Sequence, residues 1–93
     1  MRLDKFLKVS RLIKRRTLAK EVCDQGRVMI NGKPAKAGVN VSVGDELSIR
    51  FGNKTVTVRV EKIAENVRKE EAGAMFTLIQ EEVKESDSDV LSS

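Results

Sequence analysis

The hydrophobic period of this chain changes once, between Gly26 and Val28, and that switch limits the possible folds more than any other feature. Upstream of it, Leu3, Phe6 and Leu7 recur at helical spacing, small Ser10 continues the row, and Lys5 and Lys8 fall on the opposite side. This spacing predicts an amphipathic helix of about two turns with a basic outer face. An Arg- and Lys-rich stretch follows over residues 11–16. Thr17 then stands where an N-cap is expected, with Lys20 and Glu21 in the first turn. Leu18, Ala19, Val22 and Cys23 form the apolar face of a second helix, and Gly26 is its expected stop.

Downstream of Gly26 the period is two. Val28 and Ile30 alternate with Arg27 and Met29, and Asn31-Gly32 is a strong hairpin signal. Pro34 either ends the next short strand or confines it to an edge. Val39, Val41 and Val43 alternate with Asn40 and Ser42, which predicts a strand, and Gly44-Asp45 a turn. Leu47, Ile49 and Phe51 alternate again, Gly52-Asn53 reverses the chain, and Val56, Val58 and Val60 run back. Residues 67–75 suit a short helix weakened by Gly73, and Phe76, Leu78 and Ile79 a last short strand. The fold class is therefore α+β, with two N-terminal helices packed on a small, mostly antiparallel sheet. One domain is expected over residues 1–80. The acidic, serine-rich residues 81–93 read as a disordered tail.

Composition narrows the chemistry. A chain of 93 residues makes one small domain with a modest core. It contains one cysteine, Cys23, and no histidine. An internal disulfide is thus impossible, the usual metal frameworks lack their ligands, and the commonest general base is missing. No cofactor is expected and the chain is not expected to be an enzyme. No apolar run approaches the roughly 18 residues of a membrane span, and the first residues, Met1 to Lys5, are charged at once rather than apolar. A cytoplasmic protein that engages no membrane is the expectation.

Charge is unevenly spread. Residues 1–36 carry 11 Lys/Arg and 3 Asp/Glu, a net of +8, whereas residues 37–93 carry 7 and 11, a net of −4. Eight net positive charges in so short a segment repel one another unless a polyanion balances them, which points to nucleic acid. The plainer reading is a solvated surface with chance clustering.

Four segments in this order resemble a known family: residues 2–7 (Arg-Leu-Asp-Lys-Phe-Leu), residues 15–19 (Arg-Arg-Thr-Leu-Ala), residues 26–33 (Gly-Arg-Val-Met-Ile-Asn-Gly-Lys) and residues 43–47 (Val-Gly-Asp-Glu-Leu). Each is weak alone; together they resemble the αL-motif RNA-binding domain first seen in small-subunit ribosomal protein S-four, over about residues 2–50. The free-standing form resembles the ribosome-associated heat-shock-protein-fifteen family. Within it, residues 2–17, the Lys33 to Gly38 segment and Arg50 to Lys54 are similar to the RqcP group of Gram-positive relatives. The tail here is acidic, unlike the long basic extension of the heat-shock type. The resemblance implies binding to a large ribosomal subunit obstructed by peptidyl-tRNA, with contacts to 23S rRNA and tRNA. It also implies cooperation with RqcH, which extends stalled nascent chains with a C-terminal alanine tail. A monomer is expected. The family usually has serine where Arg15 stands; the change adds charge and removes a helix cap, leaving Thr17 as the expected one.

Arg16 is the leading candidate for RNA contact. It lies at the mouth of the second helix, where backbone N–H groups and the helix dipole favour phosphate, and its planar fork can hold two phosphate oxygens. On that reading its removal leaves folding nearly untouched; the alternative is an internal ion pair with Asp4. Arg2, Lys5, Lys8, Arg11, Lys14, Arg15 and Lys20 extend the basic face, and Lys33 and Lys36 flank the hairpin where a second phosphate strand could lie. Asp4 is expected to cap the first helix or orient an arginine, Asn31 and Gly32 to make the turn, and Cys23 to sit in the core. The aromatic residues are Phe6, Phe51 and Phe76 alone, all expected in the core. Stacking platforms for single strands are thus lacking, and structured RNA read through its backbone is the better fit.

Three other classes compete. The same domain occurs attached to pseudouridine synthases and tyrosyl-tRNA synthetases, but the roughly 40 residues beyond the motif are too few for a catalytic domain. A ribosome-recycling factor of the heat-shock type is the second. A DNA-binding or protein-interaction adaptor is the third, to be separated by competition with duplex DNA.

Overall fold

A computed structural model describes residues 1–83; the expected disordered tail falls, from residue 84 onward, outside the described residues. The elements run α1 (Leu3–Val9), α2 (Arg16–Asp24), β1 (Val28–Ile30), β2 (Lys33–Pro34), β3 (Glu46–Phe51), β4 (Lys54–Val60), a 3₁₀ helix (Lys69–Met75) and β5 (Phe76–Val83). The five strands form one antiparallel sheet in the order β2-β1-β3-β4-β5. The expected α+β architecture is the one observed.

Local chemistry accounts for most of these boundaries. Asn31 (φ 52) and Gly32 (φ 84) both take left-handed conformations in the two-residue loop that pairs Ile30 with Lys33. Those are the backbone angles a type I′ hairpin requires, and asparagine and glycine reach them most cheaply. The Asn31 side chain also clasps the hairpin to β3: its Oδ1 accepts from the Glu46 backbone N–H (3.0 Å), and its Nδ2 donates to Asp45 (3.2 Å). Pro34 sits in the edge strand β2, where its missing N–H costs the ladder nothing.

One face of the sheet carries Val28, Leu47, Ile49, Val56, Val58 and Val60, all buried. Against it pack Leu3, Phe6 and Leu7 of α1, Ala19, Val22 and Cys23 of α2, and Met75 from the end of the 3₁₀ helix. Ile13, between the helices, is also buried at 4% exposure. This anchor inside the basic stretch holds the turn against the core while its charged neighbours face outward.

Four local expectations are corrected. Thr17 is not the N-cap of α2: Arg15 holds that position, with extended backbone (φ −118, ψ 134) and no side-chain cap. The helix starts two residues earlier than the cap preference suggested. Leu18 is 48% exposed and lies off the apolar face, because a nine-residue helix touches the core along the narrower stripe of Ala19, Val22 and Cys23. Residues 39–43 form no strand beyond a single bridge between Arg2 and Asn40. Their backbone instead serves the start of α1: the Leu3 and Asp4 N–H groups donate to the Val39 and Ala37 carbonyls (2.8 and 3.2 Å), and Val41 N–H donates to the Met1 carbonyl (2.7 Å). The two orphan helix donors are thus met by a distant loop rather than by a capping side chain, and only Val41 of the three valines is buried. Finally, the short helix expected over 67–75 is a 3₁₀ helix that begins at Lys69, and β5 runs on to Val83, with Glu81 and Glu82 paired to Val56 and Thr55 where the tail was expected to begin.

Candidate nucleic-acid interface

Asp4 organises the basic face from within. Its side chain is 4% exposed and accepts three hydrogen bonds: from the Lys5 backbone N–H (2.8 Å), from Arg2 Nε (3.3 Å) and from Arg16 Nε (3.4 Å). A carboxylate this buried needs compensating charge, and two guanidinium groups from different elements supply it. Both arginine side chains remain about half exposed, at 53% and 48%. Each spends its Nε on Asp4, and no ion pair engages its terminal nitrogens among the described residues. Arg16 is therefore both an internal ion-pair partner and an available phosphate ligand. The expectation that its removal leaves folding untouched does not survive this contact. Arg2 further packs against the 37–40 loop, its guanidinium 3.8 Å from where a Cβ on Gly38 would lie.

Five of the predicted cations line one open basin of about 210 Å³: Lys5 and Lys8 from α1, Arg11 and Lys14 from the interhelical turn, and Arg16 at the start of α2. Arg11 has φ 65, the left-handed place that glycine or asparagine usually holds after a helix. Its neighbour Ser10 is buried, with its hydroxyl donating to the Leu7 carbonyl (3.3 Å), so the turn is tied down immediately before the strained residue. The far wall of the basin is Glu65, Asn66 and Val67, from the connection between β4 and the 3₁₀ helix. Glu65 is bonded to the Lys5 ammonium, and that hydrogen bond and charge hold its carboxyl below the usual range. Among the described residues, Lys8, Arg11 and Lys14 have no carboxylate within ion-pair distance.

The other predicted cations do not line the basin. Arg15 and Lys20 are exposed on α2, and Lys33 and Lys36 are exposed around β2. Sequence reasoning missed the 65–67 wall altogether. Glu65 lies sixty residues from Lys5, and no local pattern links them. Cys23 is buried as expected. Its thiol is pushed up to about 11 by burial first, and by the nearby negative charges of Asp4 and Asp24. Among the described residues no helix is long and apolar enough to cross a membrane.

A helix pair packed on an antiparallel sheet through an apolar core and joined to each other by a buried acid, with lysine and arginine clustered on the helices and the turn between them, has the form of an RNA-binding module. The S4 domain model matches residues 1–47, and the chain belongs to the S4-domain family that includes the RQC P-site tRNA stabilizing factors. It is similar to the protein of that name from Bacillus subtilis (strain 168), with 65% identity over 82 residues, covering 88% of this chain and 95% of the relative. The Halalkalibacterium halodurans protein of the same name is 66% identical over 82 residues, covering 88% and 93%. Among solved structures, trimeric heat shock protein 15 from Vibrio cholerae superposes with a TM-score of 0.79 at 34% identity, covering 85% of this chain and 81% of that one.

Proposed function

We propose that this chain is a non-catalytic RNA-binding factor of ribosome-associated quality control, acting in the bacterial cytoplasm. It binds large ribosomal subunits obstructed by peptidyl-tRNA, contacts 23S rRNA and the tRNA, and supports RqcH-dependent alanine tailing of stalled nascent chains. The observation that carries this reading is the five-cation basin on α1, the interhelical turn and the start of α2, in a chain 65% identical to a protein named for stabilising P-site tRNA. Arg2, Lys5, Lys8, Arg11, Lys14, Arg15, Arg16 and Lys20 form the RNA face in this proposal, with Lys33 and Lys36 reaching a second phosphate strand. Phosphate contacts made by such side chains position a structured RNA without reading its bases. One copy per subunit is proposed, although the Vibrio relative was solved as a trimer.

The test is affinity purification on the tagged chain followed by cryo-EM of the recovered particles. Large subunits with tRNA in the P site, and density for α1 and α2 on RNA, are the expected result. Recovery of small subunits or of no ribosomal particles refutes it. A recycling role of the heat-shock type is the second reading, favoured by the structural likeness to heat shock protein 15. It predicts that deletion leaves alanine tailing intact.

A further inference from the structure

The basin carries more than a basic surface, because one of its walls brings its own anion. Glu65 is 69% exposed, so it contributes little to the core. Its segment is nevertheless held in place. The Glu61 and Lys62 N–H groups both donate to the Met75 carbonyl (2.8 and 3.2 Å), and Val67 packs against the core. The carboxylate is thereby fixed over Lys5, on the opposite side of the basin from the helices.

We propose that this basin is a phosphodiester subsite of the RNA interface and that Glu65 occupies it as an internal anion, which an RNA phosphate displaces from Lys5. The proposal rests on the RNA-binding reading above and adds a named subsite and a competitor within it. A phosphodiester carries one negative charge over two outer oxygens, as a carboxylate does, so it can take over the Lys5 bond. It can also reach Lys8, Arg11 and Lys14, which the Glu65 carboxylate leaves without an ion-pair partner. The volume of about 210 Å³ equals that of about seven liquid waters, ample for a phosphate group and its hydration. The left-handed Arg11 supports the assignment. A non-glycine residue held at φ 65 carries a backbone cost, and here that strain lies on a cation lining the basin. The internal pair sets a threshold: weak or single anions meet an occupied lysine, while an RNA strand presenting several phosphates outcompetes it.

The probe is fluorescence anisotropy with unfractionated tRNA and with purified large subunits, over a range of salt, for the wild type and Glu65→Gln. Glu81→Gln is the control, because Glu81 pairs with Lys54 on the sheet (2.9 Å), away from the basin, and changes net charge equally. Glu65→Gln should bind about two- to fivefold more tightly, the range expected for releasing an exposed ion pair. Its log–log salt slope should stay close to that of the wild type, because Lys5 meets the same phosphate in both complexes once Glu65 is displaced. Lys5→Ala should cost more affinity in the Glu65→Gln background than in the wild type. If Glu65→Gln behaves like Glu81→Gln while Lys8→Ala and Lys14→Ala lose affinity, the internal-anion proposal is overturned and the RNA face stands. If those lysine variants also bind as wild type, the RNA-binding reading itself falls.

Discussion

Removing Arg2 and Arg16 together should destabilise the fold by more than the sum of the single changes. The two arginines are the charged partners of Asp4, whose side chain is 4% exposed, and the remaining bond comes from the Lys5 backbone. A charge-assisted hydrogen bond in good geometry contributes roughly 1.5–3 kcal/mol. These two are long, at 3.3 and 3.4 Å, and their guanidinium groups are half exposed to screening solvent. Either single alanine change should therefore cost about 1 kcal/mol, because the other arginine still balances the carboxylate. The double change leaves a buried charge with only an N–H partner, which costs roughly 3–5 kcal/mol. A coupling of about 1–3 kcal/mol should appear in the double-mutant cycle. Thermal melts followed by circular dichroism read this directly, at roughly 4–8 °C per kcal/mol for a domain of this size. Arg16→Ala should separately weaken binding to large subunits by roughly ten- to a hundredfold, the loss of one charge-assisted phosphate contact. Arg16→Lys should restore only part of either effect, since an ammonium lacks the planar fork. Additivity within about 0.5 kcal/mol would refute the account of Asp4 as an acid shared by both arginines.

Binding to ribosomal particles should fall with salt at a log–log slope near −3.5 to −4.5 if about five phosphates are engaged; a slope near zero would rule out the basic basin as the contact. Arg11→Gly should raise stability by roughly 0.5–1 kcal/mol by relieving the left-handed backbone, less the added freedom of the unfolded chain, while lowering RNA affinity. Loss of stability would show that the Arg11 side chain matters more to the fold than its strain does. Gly32→Ala, at φ 84, should destabilise by roughly 1–2 kcal/mol in a urea titration, with an unchanged midpoint counting against the type I′ turn. Cys23 should resist alkylation at pH 8 in the native protein and react fully once unfolded. Because its thiol stays protonated in the fold up to about 11, its share of stability is complete below the unfolded value. That share is lost as pH rises from there through about 11. Rapid native alkylation at pH 8 would contradict the burial.

What the sequence determined by itself is what short-range physics governs. Asn31-Gly32 demanded positive backbone angles and so a tight hairpin. The alternation at Leu47, Ile49, Val56 and Val58 named the buried face of the sheet, and the row Leu3, Phe6, Leu7 named the buried side of α1. The excess of cations before residue 37 was also legible, because net charge needs no coordinates to be counted, and it pointed to a polyanionic partner. Tertiary structure decided the rest. Val39, Val41 and Val43 alternate like a strand, yet their segment went to satisfy the first N–H groups of α1, a demand set by a helix nearly forty residues earlier. Leu18 matched the helical period, but how wide a stripe α2 buries depends on what lies across from it. The pairing of Asp4 with Arg16 was legible only as an alternative, and that with Arg2 was not named, since orientation separates an internal ion pair from a solvated charge. Glu65 was not legible at all. Its place over Lys5 depends on where the connection after β4 is pinned, and no periodicity carries information across sixty residues; only the closed fold brings the two side chains together.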